Sequence, residues 1–237
     1  MSRKPVKRFE FLEVVYDEER WELLRKLRAE ALEMMEALQR ERLNPIVYGS
    51  IARGDVWSGS DIDVFIPHVV PSFRVESAIE SAGFEVLRRV MVQATPSYAV
   101  KAYIEVGEGR SFSFPLVKLR PVEAEFYRFA GSLSLEELRR GLRVPGVDKR
   151  LMLIEPTERG HVESSVVGRE GYVASRLGID VRTVLDRVRA LTRRDEVGRT
   201  GVFLKRELAP GECFEDVLRR LADRNPAVRR RLMEGTS

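Results

Sequence analysis

The sequence predicts an α+β fold: a mixed sheet with helices on one face and acidic residues on the other, followed by a mostly helical C-terminal domain. Three observations carry this reading. A long amphipathic stretch begins at Asp17, and short runs rich in β-branched and aromatic residues follow at 46–48, 61–66, 85–94, 97–106 and 111–119. Helical spacing then dominates from 122 onward, with the clearest stretches at 172–191 and 211–233. The boundaries expected from this pattern are 1–130, a connecting segment 131–165, and a C-terminal domain 166–237.

The elements follow in order. Residues 1–9 are basic and are expected to fray. Asp17 can cap a helix running to about Arg42, in which Trp21, Leu24, Leu27, Ala31, Met34 or Met35, and Leu38 form one buried stripe. Ile46-Val47-Tyr48 is a short strand closed by Gly49, and a helix is expected to start near Ile51. Asp61 to Ile66 reads as the next strand. Pro71-Ser72 starts a helix that Gly83 stops. Ser134 and Glu137 have the spacing of a capping box. Pro145-Gly146 breaks the pattern, Leu151–Ile154 reads as a strand, and Asn225-Pro226 interrupts the last helix. His161 reads as a structural or surface histidine rather than a ligand.

The chemistry concentrates in Gly49-Ser50-Ile51-Ala52-Arg53-Gly54 and in Ser60-Asp61-Ile62-Asp63. Side chains alternate along a strand, so Asp61 and Asp63 share a face, roughly 6–7 Å apart. Two like charges there call for a cation, and Mg²⁺ prefers such hard oxygen donors. Gly49 lets the backbone approach an anion, and Ser50 adds a hydroxyl and an N–H. Ser50 is not read as a covalent nucleophile, because neither histidine, His68 or His161, is near it in sequence. Arg53 has two readings, a phosphate contact or a surface ion pair with Asp55. Lys101 and Lys118 read as solvated strand residues.

This segment resembles the nucleotidyltransferase motif of the DNA polymerase β superfamily, and within it the minimal nucleotidyltransferases. The resemblance covers about residues 17 to 120. More narrowly, the whole chain is similar to an archaeal family of predicted nucleotidyltransferases. The resemblance implies a polymerase β-like sheet, an NTP substrate and Mg²⁺ or Mn²⁺ as cofactor. It also implies a third acid on a later strand. Glu105, between Ile104 and Val106, fits that position, with a solvent-facing glutamate as the other reading and Glu108, in the turn that follows, as the rival residue. The site so implied comprises Asp61, Asp63 and Glu105 as metal-binding and catalytic residues, with Gly49, Ser50 and Arg53 at the nucleotide. The reaction implied is transfer of an NMP to an acceptor hydroxyl with release of pyrophosphate.

Tyr172 to Leu191 resembles a helix-turn-helix, with Gly178 at the turn and Val184, Val188 and Leu191 as the buried stripe of the second helix. Residues 193–205 are expected to form the hairpin wing of a winged helix. Arg182, Thr183 and Arg187 would then be exposed for nucleic acid, with Arg199 on the wing. Asp180 and Asp186 oppose that reading, whose alternative is a packing scaffold. Residues 1–130 carry 19 basic and 20 acidic side chains, and residues 131–237 carry 22 and 17. The basic surplus therefore lies in the C-terminal half and favours a nucleic-acid acceptor, such as an RNA 3′ end. The rival class is a DNA-binding regulator whose nucleotidyltransferase domain senses nucleotide or is inactive. Arg229–Arg231 reads as a solvated helix end. The single cysteine, Cys213, cannot close an intramolecular disulfide, and no signal peptide is evident, which points to the cytoplasm. No apolar run approaches the ~18 residues of a membrane span.

Overall fold

The computed structural model describes residues 11–197 and 201–234. The basic stretch 1–9 and Arg199 lie outside the described residues. Contacts divide the chain into two compact units built from alternating stretches. The first is Met1–Glu30, Val47–Ser60 and Ala124–Thr200; the second is Ala31–Ile46, Asp61–Glu123 and Gly201–Ser237. Helix α1 (Glu18–Arg40) contributes to both. Its N-terminus is capped as expected, the Arg20 N–H donating to Asp17 Oδ1 at 2.9 Å.

The second unit holds the mixed sheet. Its strands are β3 (Ile62–Phe65), β4 (Arg88–Gln93), β5 (Val100–Gly107), β6 (Arg110–Pro115) and β11 (Leu204–Glu207), in the order β11-β4-β5-β6-β3. All pairs within this unit are antiparallel except β3 with β6. Alternation assigns the two faces. Ile62, Val64, Phe112 and Ile104 are buried on one side, while Asp63, Ser111 and Glu105 take the other. Helix α8 (Phe214–Arg224) packs Phe214 edge-on against Phe114, 5.8 Å between ring centroids, on the face opposite Asp63. Burying such a ring contributes about 1.5–3 kcal/mol. Helix α3 (Ser72–Ser81) buries Val75 and Ile79, and Glu215 of α8 accepts hydrogen bonds from its Ser72 N–H and hydroxyl at 2.7 Å each.

Helix α9 (Pro226–Met233) follows a break at Asn225, whose Oδ1 accepts from Ala227 N at 3.0 Å. The sequence reading of Arg229–Arg231 as a solvated end does not hold for Arg231. This residue is 2 % exposed and donates to Glu123, also 2 % exposed, at 2.6 Å, and to the Lys118 carbonyl at 2.7 Å. Glu123 in turn accepts from the Ala99 and Arg120 backbone N–H groups. Dense hydrogen bonding makes this buried pair tolerable.

The first unit carries an antiparallel sheet in the order β1-β10-β9-β8. Its strands are β1 (Phe11–Val15), β8 (Gly146–Val147), β9 (Met152–Thr157) and β10 (Gly160–Ser165). The first unit also contains α2 (Ser50–Arg53), β7 (Ser132–Ser134) and α5 (Leu135–Arg139), and it shares β2 (Ile46–Tyr48) and α4 (Pro121–Ala130) with the second. Ser134 and Glu137 form the expected capping box. Helices α6 (Glu170–Leu177) and α7 (Val181–Val197) flank Gly178, and Val173, Ala174 and Val184 join Phe129, Leu151 and Leu153 in one core, with Val188 and Leu191 packed against it.

The predicted helix pair is therefore formed, but the wing is not formed among the described residues. Residues 193–197 continue α7, and Leu204–Glu207 pair with β4 in the other unit's sheet. The pairing partner of a strand is a tertiary fact that local pattern does not carry.

Candidate active site

The motif divides at the boundary between units: through Ser60 it belongs to the first, and from Asp61 to the second. Each part is built locally.

In the first unit, β2 ends at Gly49, whose φ of +80° is a region that favours glycine. A Cβ added there would meet nothing within 4 Å, so the backbone faces open space. The Gly49 N–H is tied to the Gly131 carbonyl at 2.9 Å, and the Gly49 carbonyl accepts from Ala52 and Arg53. Helix α2 starts at Ser50, close to the expected Ile51, but spans only four residues. One turn sums few peptide dipoles, so any anion here is held by local N–H groups rather than by a macrodipole. Arg28 of α1 donates to the Ile51 and Ala52 carbonyls at 3.1 Å each, satisfying the far end of that turn. The Ser50 hydroxyl donates to Ser60 Oγ at 3.2 Å, which accepts from Trp57 N at 3.0 Å. The loop thus returns to its own start immediately before Asp61.

Arg53 pairs with Asp55, but in the interior and not at the surface as expected. It is 5 % exposed, pairs with Asp55 at 2.9 Å, and donates to the Ala130 carbonyl at 2.6 Å. A side chain committed to these partners braces the loop and is not presented to a phosphate.

In the second unit, Asp61 is exposed just before β3 and Asp63 is half-buried on it. Ser111 of β6 donates its hydroxyl to Asp63 Oδ1 at 2.7 Å. The turn joining β5 and β6 lies against Asp61. The Ile62 N–H donates to the Gly109 carbonyl at 2.7 Å, and a Cβ at Gly109, whose φ is +66°, would come within 3.0 Å of Asp61 Oδ1. Tyr103 of β5 has its phenol pushed up to about 12, first by burial and then by the Asp63 charge. Neither Ser111 nor Tyr103 was read as functional from the sequence. The available signal was the alternation of 111 and 113 with buried phenylalanines, which aims both serines at the acidic face.

Glu105 lies in the same cross-strand row: Asp63 pairs with Ser111, Ser111 with Glu105, and Glu105 with Arg88. Strand spacing makes Asp63 and Glu105 about 10 Å apart at Cα. The Glu105 carboxylate meets Arg88 at 3.4 Å, and Arg88 also binds Glu207 at 2.9 Å. No cage of three or more His, Cys, Asp or Glu side chains occurs among the described residues. Asp61, just before β3, and Asp63, on it, nonetheless offer only carboxylate oxygens, a donor chemistry that fits a hard divalent cation.

The proposed nucleic-acid residues are dispersed. Thr183, expected to be exposed, is 1 % exposed and donates its hydroxyl to Glu125 of α4. Glu125 also accepts from Asp180 N at 3.2 Å, so the start of α7 is sealed by a neighbouring helix. Arg182 is exposed, and its bond to Asp180 holds that carboxyl down at about 2. Arg187 stacks over the Phe126 ring at 4.9 Å. No helix among the described residues is long and apolar enough to cross a membrane.

No curated protein and no solved structure matches the chain. Residues 24–124, less than half of the chain, match the family model of the nucleotidyltransferase domain, and this stretch contains Gly49, Ser50, Asp61, Asp63 and Glu105.

Proposed function

We propose that the chain transfers an NMP from an NTP to an acceptor hydroxyl and releases pyrophosphate, with the chemistry carried by residues 1–130. The observation that supports this most is the Asp63 carboxylate on β3, oriented by Ser111 and two residues from the exposed Asp61, within the nucleotidyltransferase match. Asp61 and Asp63 would hold Mg²⁺ or Mn²⁺, and Glu105 would complete the set. A bound divalent cation supplies charge neutralisation to the phosphates. Ser111 fixes the Asp63 carboxylate, so little reorganisation is needed on binding. The Gly109 turn keeps side-chain bulk away from Asp61. Gly49 leaves open space for the triphosphate beside the loop, and Ser50 offers its backbone N–H and hydroxyl to it. Glu105 accepts the proton of the attacking hydroxyl at a carboxylate oxygen. The acceptor we favour is a nucleic acid, on the arginine surplus of residues 131–237, with Arg182 contributing from α7.

The experiment is incorporation of α-labelled NTP into total RNA with Mg²⁺, comparing wild type with Asp61→Asn. Metal-dependent label lost in the variant is expected. Label that persists in Asp61→Asn refutes the assignment; salt-sensitive duplex binding without label points to a regulator instead.

A further inference from the structure

A cavity of about 510 Å³ opens within the first unit. That size suits a sugar-sized molecule. Its charged wall sets the carboxylates of Asp17, Glu19, Asp55 and Glu163 against the guanidinium groups of Arg20 and Arg150. Arg150 is taken up by Asp148 and Glu163, and Asp55 by Arg53, which leaves Asp17 and Glu19 against Arg20, so the remaining wall is net negative. Arg20 stacks over the Tyr16 ring at 4.0 Å. Trp57, half exposed, and the apolar Val14 and Leu23 supply nonpolar surface.

Three buried polar atoms on this wall have no hydrogen-bond partner among the described residues: Asp55 Oδ1, His161 Nε2 and Arg20 Nε. The side chains of Asp55 and His161 are only 9 % and 3 % exposed. Buried groups of this kind are ordinarily satisfied, so each asks for a partner from outside the chain. Their roles can be assigned. Asp55 Oδ2 is held by Arg53, which leaves Oδ1 as an anionic acceptor. The Tyr16 hydroxyl lies 2.7 Å from His161 Nδ1. Burial raises this phenol to about 12 and lowers the imidazole, so both are neutral near pH 7. The tautomer that turns a proton rather than a lone pair toward the Glu163 carboxylate is Nε2–H, with the phenol donating to Nδ1, and it makes Nε2 a donor. Glu163 stands 3.6 Å from Nε2, beyond a normal hydrogen bond. The cavity therefore offers one charged acceptor and two donors.

We propose that this cavity binds a small hydroxylated amine, its ammonium at Asp55 Oδ1 and its hydroxyl oxygens accepting from His161 Nε2 and Arg20 Nε. An anion would satisfy the two donors but would face the surplus of carboxylates and leave Asp55 Oδ1 bare. A neutral polyol would satisfy the donors but forgo the charge-assisted bond to Asp55. The site stands independently of the nucleotidyl-transfer reading.

The chain has two histidines, so His68→Gln, a change at an exposed position, leaves one imidazole to report by ¹⁵N NMR. Glucosamine, glucose and inorganic phosphate are titrated in turn. A saturable shift of His161 Nε2 is expected with glucosamine, at an affinity at least ~10-fold above glucose, and none with phosphate. Asp55→Asn should weaken glucosamine by about ten-fold. Should loss of the Arg53 partner unfold that variant, Trp57→Ala serves instead, with about five-fold weakening expected from the lost aromatic face. Absence of a saturable shift with glucosamine, equal affinity for glucose, preference for phosphate, or an unchanged affinity in the folded variants overturns the proposal.

Discussion

Asp63 and Glu105 occupy one row of one sheet, yet the sheet treats them differently. At the Asp63 end one partner is Ser111, a neutral hydroxyl that orients the carboxylate. At the Glu105 end the partner is Arg88, a cation that Glu207 also binds. The deepest version of the second arrangement is Glu123 with Arg231, where both side chains are almost wholly buried. A carboxylate supported by hydroxyls keeps its field for a ligand, whereas one paired with a guanidinium turns that field to cohesion. The Arg231 site holds the fold, and the Asp63 end carries the oriented carboxylate on which the proposed metal site rests.

Asp63→Asn should break this contrast most severely. Incorporation of labelled nucleotide is expected to fall about 10³-fold while the thermal midpoint barely moves. Arg231→Ala tests the opposite extreme. It should cost about 3–5 kcal/mol in denaturant unfolding, because Glu123 is left charged and buried. Retention of stability there would mean that the pair is not a structural anchor. Glu105→Gln sharpens the middle case, with about 100-fold loss of incorporation expected if the row acts as one acidic set. Unchanged activity would end the functional row at Ser111. Ser111→Ala should lower metal affinity by about ten-fold through lost orientation of Asp63, read by Mn²⁺ titration.

The smallest effect is a pH shift. Tyr103 is raised to about 12, so its protonated form is favoured in the fold. Its contribution to stability is full below the ordinary phenol value near ~10 and is lost as pH climbs through about 12. Removing the Asp63 charge should move the Tyr103 phenolate titration, followed by ultraviolet absorbance, part of the way down, since burial is the larger cause. A titration indifferent to Asp63→Asn would separate the tyrosine from the acidic face.

Local signals were legible. The Asp17 cap, the Ser134–Glu137 box, the turn at Gly178, the break at Asn225 and the alternation through Asp61 and Asp63 all depend on residues within a few positions. Features set by distant partners were not. Strand β1 pairs with β10, some 145 positions away as measured by Tyr16 and His161 near its end, and its Phe-Leu-Glu-Val-Val pattern names no partner. The strand taken for a wing belongs to β4 for the same reason. Thr183 has the sequence setting of an exposed recognition residue, and only its contact with Glu125, 58 positions earlier, buries it. Arg53 shows the limit within the motif itself: the sequence supplied both Asp55 and a phosphate as partners, and the Ala130 carbonyl tipped the balance.

The pairing of β11 with β4 also bears on how the chain reaches its native state. During synthesis, the β4 edge emerges long before Leu204–Glu207 exist to cover it, and Phe114 likewise waits for Phe214. Such late closure gives slow, high-contact-order assembly and a transiently sticky edge. A fragment cut at residue 130 would keep every acid of the candidate site but expose that edge permanently, so aggregation would mask whatever catalysis it retained.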